Sequence, residues 1–379
     1  MEIYISGREV FSPVASTFKD HLECLYDGKD LLSKYADDGM ANLNAEVEIA
    51  VGEARAASQW MRRLDDTAIL GYLASKAAVS ERGGISRNAA VVYGSSRGPT
   101  NKWEEHIADF IDGQRMPAHA SPMTTPNSIP ASISRGLGLS GGHFYVSAAC
   151  STGLHAIGLA YVLIKSGQVP EAIAGGVEYS TTPFTHSILS SAKVLALDPL
   201  ESFPHRPGSD DRNGMILGAG AASVLLSSSE GRGFAKVAGY GSATDDGGFT
   251  GISKEAYGLQ LAIRRALGDA DIDARDVSFI IGHGSSTSLG DEREMEAIRA
   301  VFGVEHPKVV YHKWLTGHML GASSASSVAF ASDHLDRQTI PANPYDGDEG
   351  TTRHETIEYA LIIALGFGGN AAALILRRS

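Results

Sequence analysis

Short runs of β-branched and aromatic residues alternate with longer stretches whose apolar positions recur at helical spacing, and that alternation predicts an α/β fold. In the first half, EIYIS, NAAVVYG, HFYVS, EAIAGG and MILGAGAASVLL read as strands. Between them, Asp65–Glu81 opens on acidic residues and then shows the apolar spacing of a helix with a complemented N-terminus. A second series starts near FAKVAGYGSATD. It continues with a helix at Lys254–Leu267, the strand VSFIIG, a helix at Asp291–Phe302, and strands around Val309–Tyr311 and Ile357–Leu365. The most apolar window, Leu361–Leu376, is broken by GFGGN and fits two strands around a turn better than a membrane span.

The two series look alike. Gly218–Leu226 reads GAGAASVLL and Gly368–Leu376 reads GGNAAALIL, sharing Gly, Ala, Ala and Leu at four of nine ungapped positions. Each series also contains an apolar strand ending in a reactive side chain that leads into a helix, FYVSAAC-STG for Cys150 and SFIIGHG-SST for His283. A duplicated α/β unit is the preferred reading, with halves at 1–230 and 231–379 joined through the short polar seam Ser227–Gly233.

Composition narrows the function. Across 379 residues the formal net charge is −12, with 32 basic against 44 acidic side chains and no basic block, which argues against a nucleic-acid binder. The opening MEIYISGREV lacks the charged-then-apolar pattern of a signal peptide, so a soluble, cytoplasmic protein without membrane insertion is expected. Only two cysteines are present, too few for a disulfide framework and without the CxxC spacing of a zinc site.

Cys150 follows an apolar strand and precedes the helical stretch Ser151–Lys165. A thiol at a helix start faces unpaired N–H groups and the positive end of the helix dipole, which favour the thiolate. The commoner fate of a lone cysteine is a buried structural place, which suits Cys24 better than Cys150. His283, in GHGSSTSLGD, and His318, in KWLTGHMLGASSAS, both sit in glycine-rich turns where an imidazole is reachable, although either alone could be a satisfied core histidine. Lys313 could pair with Asp291 or Glu294, or stand on the surface. GLGLSG at Gly136–Gly141 precedes a strand, and GFGGNA at Gly366–Ala371 leads into one, so neither carries the helix start that a dinucleotide site needs.

Together these strings resemble the elongating, two-histidine β-ketoacyl-acyl-carrier-protein synthases of the thiolase superfamily, nearly end to end. VSAACSTG is similar to the nucleophile motif, and SFPHRPGSDDRNGMILGAGAASVLL to the RPFDxxRDGFxxGEGA region. GHGSSTSLGDEREMEAI resembles HGTxTxxGDxxE, KWLTGHMLGA resembles KxxxGHxxGA, and GFGGNAA resembles the C-terminal glycine loop. The resemblance implies a thiolase-like fold with duplicated halves in α-β-α-β-α layers, needing no cofactor and no metal. It implies that Cys150 carries an acyl chain, and that its N–H and that of Phe367 form the oxyanion hole. His283 and His318 would donate to a malonyl thioester, with Lys313 and Glu294 as their supporting charged pair. Phe367 would gate the site, and Ser285, Thr287, Gly366 and Gly368 would contact substrate.

Some positions depart from the pattern. Ser285 replaces the first threonine of HGTxT, His312 and Trp314 flank Lys313 where small hydroxylated residues are common, and Ala219 stands at the acid of GEGA. These departures widen the reading from fatty-acid elongation to a specialised polyketide or aryl-polyene-type ketosynthase. The implied partners are an acyl carrier protein and either a second copy or a chain-length-factor-like subunit. A thiolase would place a second cysteine near the C-terminus, and none follows Cys150; a chain-length-factor-like protein generally lacks the nucleophile.

Overall fold

A computed structural model of the chain describes residues 1–228, 233–249, 251–347, 352–353 and 356–379. The expected boundary at 230/231, inside the Ser227–Gly233 seam, lies outside the described residues. Ten strands form one sheet: β1 Tyr4–Phe11, β2 Ala90–Gly94, β3 His143–Val146, β4 Glu171–Glu178, β5 Gly220–Ser227, β6 Ala235–Thr244, β7 Val277–Ile281, β8 Lys308–Val310, β9 Tyr359–Gly366 and β10 Asn370–Arg378. Their spatial order is β3-β2-β4-β5-β1-β6-β10-β9-β7-β8.

That order is a duplication written in hydrogen bonds. In the first half β3, β2 and β4 run parallel, then β5 and β1 turn antiparallel. In the second half β8, β7 and β9 run parallel, then β10 and β6 turn antiparallel. The halves meet where Tyr4 and Ile5 of β1 pair with Lys236 and Ala235 of β6. The repeated strings GAGAASVLL and GGNAAALIL fall on the equivalent strands β5 and β10.

Six helices follow the same duplication: α1 Asp66–Arg82, α2 Ser128–Leu137, α3 Thr152–Lys165, α4 Tyr257–Ala270, α5 Ser288–Phe302 and α6 Ser323–Arg337. Asp65 caps α1, its carboxylate accepting from the Thr67 N–H, and Gly83 ends it in the left-handed region. Pairs α1/α2 and α4/α5 cover the outer faces of the two half-sheets. Helices α3 and α6 pack on each other and on strands of both halves, inside the largest apolar cluster. The result is the expected α-β-α-β-α layering.

A helix sandwiched between two sheet faces must be small or apolar all round. Helix α3 is apolar on nearly every side, and α6 reads SSASSVAFASDHLDR with everything through Leu335 buried. The serines of α6 satisfy themselves locally: Ser326 and Ser327 donate to the Ser323 carbonyl and Ser332 to that of Ala329. Where α3 meets α6, a Cβ on Gly153 would fall 2.7 Å from the Ala325 nitrogen and 2.9 Å from the Gly321 carbonyl oxygen. Only a residue without a side chain fits there.

Two expectations change. MILGAGAASVLL is not one strand: Leu217–Gly218 pairs with Met40–Ala41 in a small separate sheet, and β5 begins only at Gly220. The strand before Cys150 is not the counterpart of the strand before His283. Cys150 follows the edge strand β3, whereas His283 follows β7, the partner of edge strand β8. The true counterpart of the β3–Cys150–α3 connection is β8 leading through Lys313 and His318 into α6.

Gly153→Val is expected to lower stability by about 1–3 kcal/mol, the usual cost of forcing volume into a closed contact. A urea midpoint equal to that of the wild type would show that α3 and α6 can separate without loss.

Candidate active site

Because α3 and α6 are equivalent helices packed side by side, their N-terminal ends lie together, and the predicted residues gather around them. Cys150 sits in the turn between β3 and α3, partly exposed, against an apolar cluster of Leu189, Met215, Leu217 and Leu320. The preceding Ala149 holds φ 50, a left-handed conformation costly for alanine. Thr152 sustains it: its hydroxyl donates to the Ala149 carbonyl at 2.7 Å and accepts from the Ala148 N–H at 2.9 Å.

The same turn uses up the helix start. Ser151 N–H and Thr152 N–H donate to the carbonyls of Ala148 and Ala149, and Leu154 N–H donates to Ser324 Oγ. Fewer free N–H groups than expected therefore face the thiol, and Lys313 first, then Cys150's own N–H, favour the anion. Burial prevails and pushes the thiol up to about 11; Lys313 opposes that rise and Glu178 adds to it. Burial thus outweighs what the helix start offers the anion, and Cys150 rests as a thiol.

His283 and His318 face each other with ring centroids 5.5 Å apart and planes at 77°. Hydrogen bonding settles which nitrogen of each carries the proton. Leu320 N–H donates to His318 Nδ1 at 3.0 Å, and Lys313 Nζ lies 3.3 Å from His283 Nδ1. Both Nδ1 atoms thus accept, and in a neutral ring the proton is then on Nε2. Burial, reinforced by Lys313, lowers both imidazoles well below their ordinary value, so both stay neutral near pH 7. The site holds two neutral Nε2–H donors.

Lys313 and Glu294 grip one loop from two sides. Lys313 also donates to the His283 carbonyl, and Glu294 Oε2 accepts from Gly284 N–H at 2.9 Å. No ion pair joins the two directly among the described residues, which refines the expected pair into two clamps on the His283–Gly284 backbone. Burial lowers Lys313 and raises Glu294 from their usual values, while each charge supports the other. Ser285 and Thr287 are engaged with each other at 2.8 Å, and Ser285 donates to Asp291 at 3.1 Å, so these hydroxyls brace the loop.

Phe367 lies at the tip of the β9–β10 hairpin, where Gly366 pairs with Asn370. Phe367 is 44% exposed. A Cβ on Gly366 would sit 2.5 Å from the Ala148 carbonyl oxygen and 3.2 Å from Cys150 N, so the hairpin backbone closes directly over the nucleophile turn. Gly368 N–H donates to the Phe249 carbonyl at 2.8 Å, tying the tip to the 245–249 segment.

Two residues escaped sequence reasoning. Glu178, at the end of β4, accepts from Ser95 Oγ, Ser96 N–H, Arg97 N–H and Gly321 N–H at 2.8–3.2 Å, joining the loop after β2 to the turn beyond His318. The signal was the acid that closes the small apolar run AIAGGV. His205 accepts from Ile216 N–H at Nδ1 and bonds the Gly284 carbonyl through Nε2 at 3.2 Å, a third hold on the His283 loop. Nothing in its sequence neighbourhood marks that role.

Residues 2–231 match the family described as "Beta-ketoacyl synthase, N-terminal domain", and residues 234–345 the family described as "Beta-ketoacyl synthase, C-terminal domain". A relative from Staphylococcus aureus (strain MRSA252), "3-oxoacyl-[acyl-carrier-protein] synthase 2", is 28% identical over 416 residues, spanning 100% of this chain and 98% of the relative. Two solved structures share the fold over 100% of this chain and 99% of theirs. They are "The ishigamide ketosynthase/chain length factor" at 22% identity and TM-score 0.85, and a type II PKS acyl-carrier protein in complex with its ketosynthase bound to the hexaketide, at 20% and 0.86.

Alkylation of Cys150 by iodoacetamide is expected to keep accelerating with pH toward the thiol's value of about 11. Lys313→Met is expected to slow it at neutral pH, because the cation that opposes burial is gone. A rate that levels off near neutrality, read by mass spectrometry of the Cys150 peptide, would mean that a thiolate is already in place.

Proposed function

The chain belongs to the β-ketoacyl synthase family, and we propose that it performs a decarboxylative Claisen condensation between an acyl thioester and malonyl-acyl-carrier protein. The observation that carries the reading is the pair of neutral Nε2–H donors beside a single cysteine at the start of a buried helix.

In the first step Cys150 attacks the acyl thioester carbonyl. Its proton leaves with the departing carrier thiol, so no standing thiolate is needed. The N–H groups of Cys150 and Phe367 receive the negative charge that develops on the thioester oxygen. In the second step the malonyl carboxylate leaves as carbon dioxide. The electron pair it abandons is held as an enolate whose oxygen accepts from His283 and His318 Nε2–H. That carbon attacks the acyl-Cys150 carbonyl, a new carbon–carbon bond forms as the carbon–sulfur bond breaks, and the departing thiolate takes up one proton from water. A thiol pushed up to about 11 retains that proton firmly and returns the enzyme to its resting form. The first half thus supplies the nucleophile and the second half the donors, with Lys313 and Glu294 fixing the His283 loop and Phe367 covering the site.

The partners follow from the same reading. The substrate arrives on an acyl carrier protein, and a second ketosynthase-fold chain, a copy or a chain-length-factor-like subunit, completes the assembly. In support, edge strand β3 pairs only with β2 among the described residues, and the helix Thr100–Ile111 exposes Trp103, Ile107, Phe110 and Ile111. Among the described residues no helix is long and apolar enough to cross a membrane, and we place the activity in the cytoplasm.

Incubation with a short acyl-carrier-protein thioester is expected to add the acyl mass to the Cys150 peptide, and Cys150→Ala to stay folded without condensing. His318→Ala is expected to keep acylation yet lose malonyl decarboxylation by about 10²–10³-fold, the usual cost of one such donor. An unmodified Cys150 with several acyl donors and a folded sample would overturn the reading.

A further inference from the structure

His312 stands beside Lys313 where the resemblance leads to a small hydroxylated residue, and the condensation does not use it. Its ring is buried against Phe330, centroids 4.7 Å apart, and its Nε2 lies 3.0 Å from Nε2 of His334. His334 Nδ1 lies 3.0 Å from the Tyr26 hydroxyl, which lies 3.0 Å from Asp333 Oδ2. Asp333 is also met by Arg8 at 3.4 Å and Arg337 at 3.0 Å.

Proton positions along this line follow from its end. A carboxylate paired with two guanidinium groups only accepts, so Tyr26 donates to Asp333. The Tyr26 oxygen then accepts from His334 Nδ1–H, neutral His334 accepts at Nε2, and His312 donates its Nε2–H. Consistently, His312 Nδ1 is a buried nitrogen without a partner. Burial keeps both rings neutral, and the facing charges act in the same direction: Lys313 on His312, Arg8 and Arg337 on His334.

His334 belongs to α6, and α6 also reaches His318 and the start of α3. Its Ser323 hydroxyl lies 3.4 Å from His318 Nδ1, and its Ser324 hydroxyl accepts from Leu154 N–H in the helix that Cys150 opens. His312 in turn starts the short helix Lys313–Thr316, its carbonyl accepting from Leu315 and Thr316 N–H at 3.0 and 3.2 Å. We propose that His312 and His334 are positioning residues for Lys313: the line from Asp333 through Tyr26 pins the Lys313 turn to α6, so that Nζ meets His283. The kinetic consequence rests on the condensing function proposed above; the geometric one does not.

The test uses the full chain carrying His334→Leu, His334→Gln or Tyr26→Phe. Iodoacetamide alkylation of Cys150 at neutral pH needs no carrier thioester and reads how Lys313 sits toward the thiol. His334→Leu is expected to slow it at least threefold. It is also expected to cut kcat for condensation by about tenfold while KM for the malonyl thioester stays within about threefold. His334→Gln keeps an acceptor for His312 Nε2–H and is expected to restore both readouts to within about threefold of wild type. Tyr26→Phe, which leaves the histidine pair intact, is expected to fall between. A folded His334→Leu protein with wild-type alkylation and kcat overturns the proposal, and so does His334→Gln as impaired as His334→Leu. If the wild type acylates and condenses nothing but the alkylation order holds, the positioning role stands and the condensing function falls.

Discussion

The contact between α3 and α6 is the constraint on which the rest of the site depends. Gly153 lies so close to Ala325 and Gly321 that no side chain fits, and Ser324 reaches across to Leu154. Duplication makes the two helices equivalent, and close packing brings their starts together. One start presents Cys150; the approach to the other presents Lys313 and His318. A cysteine from one half and a lysine and a histidine from the other thus meet without a long loop having to carry either.

Burial sets the electrical character of what meets there. It holds His283, His318 and His205 neutral and keeps Cys150 protonated. It also lowers Lys313 and, together with Asp291, raises Glu294, shifts that each partner's charge opposes across the His283–Gly284 loop. Neutral donors suit a reaction whose negative charge appears only in the transition state. They stabilise it when it forms without holding a charged partner in the ground state.

The backbone bears the cost of this arrangement in small, local devices. Ala149 takes a left-handed conformation immediately before Cys150, and the Thr152 hydroxyl offsets the strain from both sides. Glu178 collects donors from two loops that are far apart in sequence, and its carboxylate also weighs against ionisation of Cys150. The group that stiffens the site is therefore also one that keeps its thiol protonated.

Much of this was legible in the chain itself, for a physical reason. Strand and helix periodicity, the glycine-flanked histidines and the small residues around Cys150 are local patterns, and local patterns select local structure. They located most strands of the sheet and the helices that became α1, α3, α4 and α5, though not α2 or the bounds of α6. They marked Cys150, His283, His318 and Lys313, while Glu294 and Phe367 took their roles from the resemblance. What depends on partners distant in sequence was not legible. MILGAGAASVLL changes sheets because Met40–Ala41 lies beside Leu217, and His205 matters because it bridges Ile216 and Gly284. The state of Cys150 is of the same kind: sequence shows a helix start, but only packing shows that several of its N–H groups are taken and that burial raises the thiol. Sequence determined which groups the protein owns and which element carries each. The tertiary structure decided which of them touch and which are charged, because contact and burial are properties of neighbours, not of order along the chain.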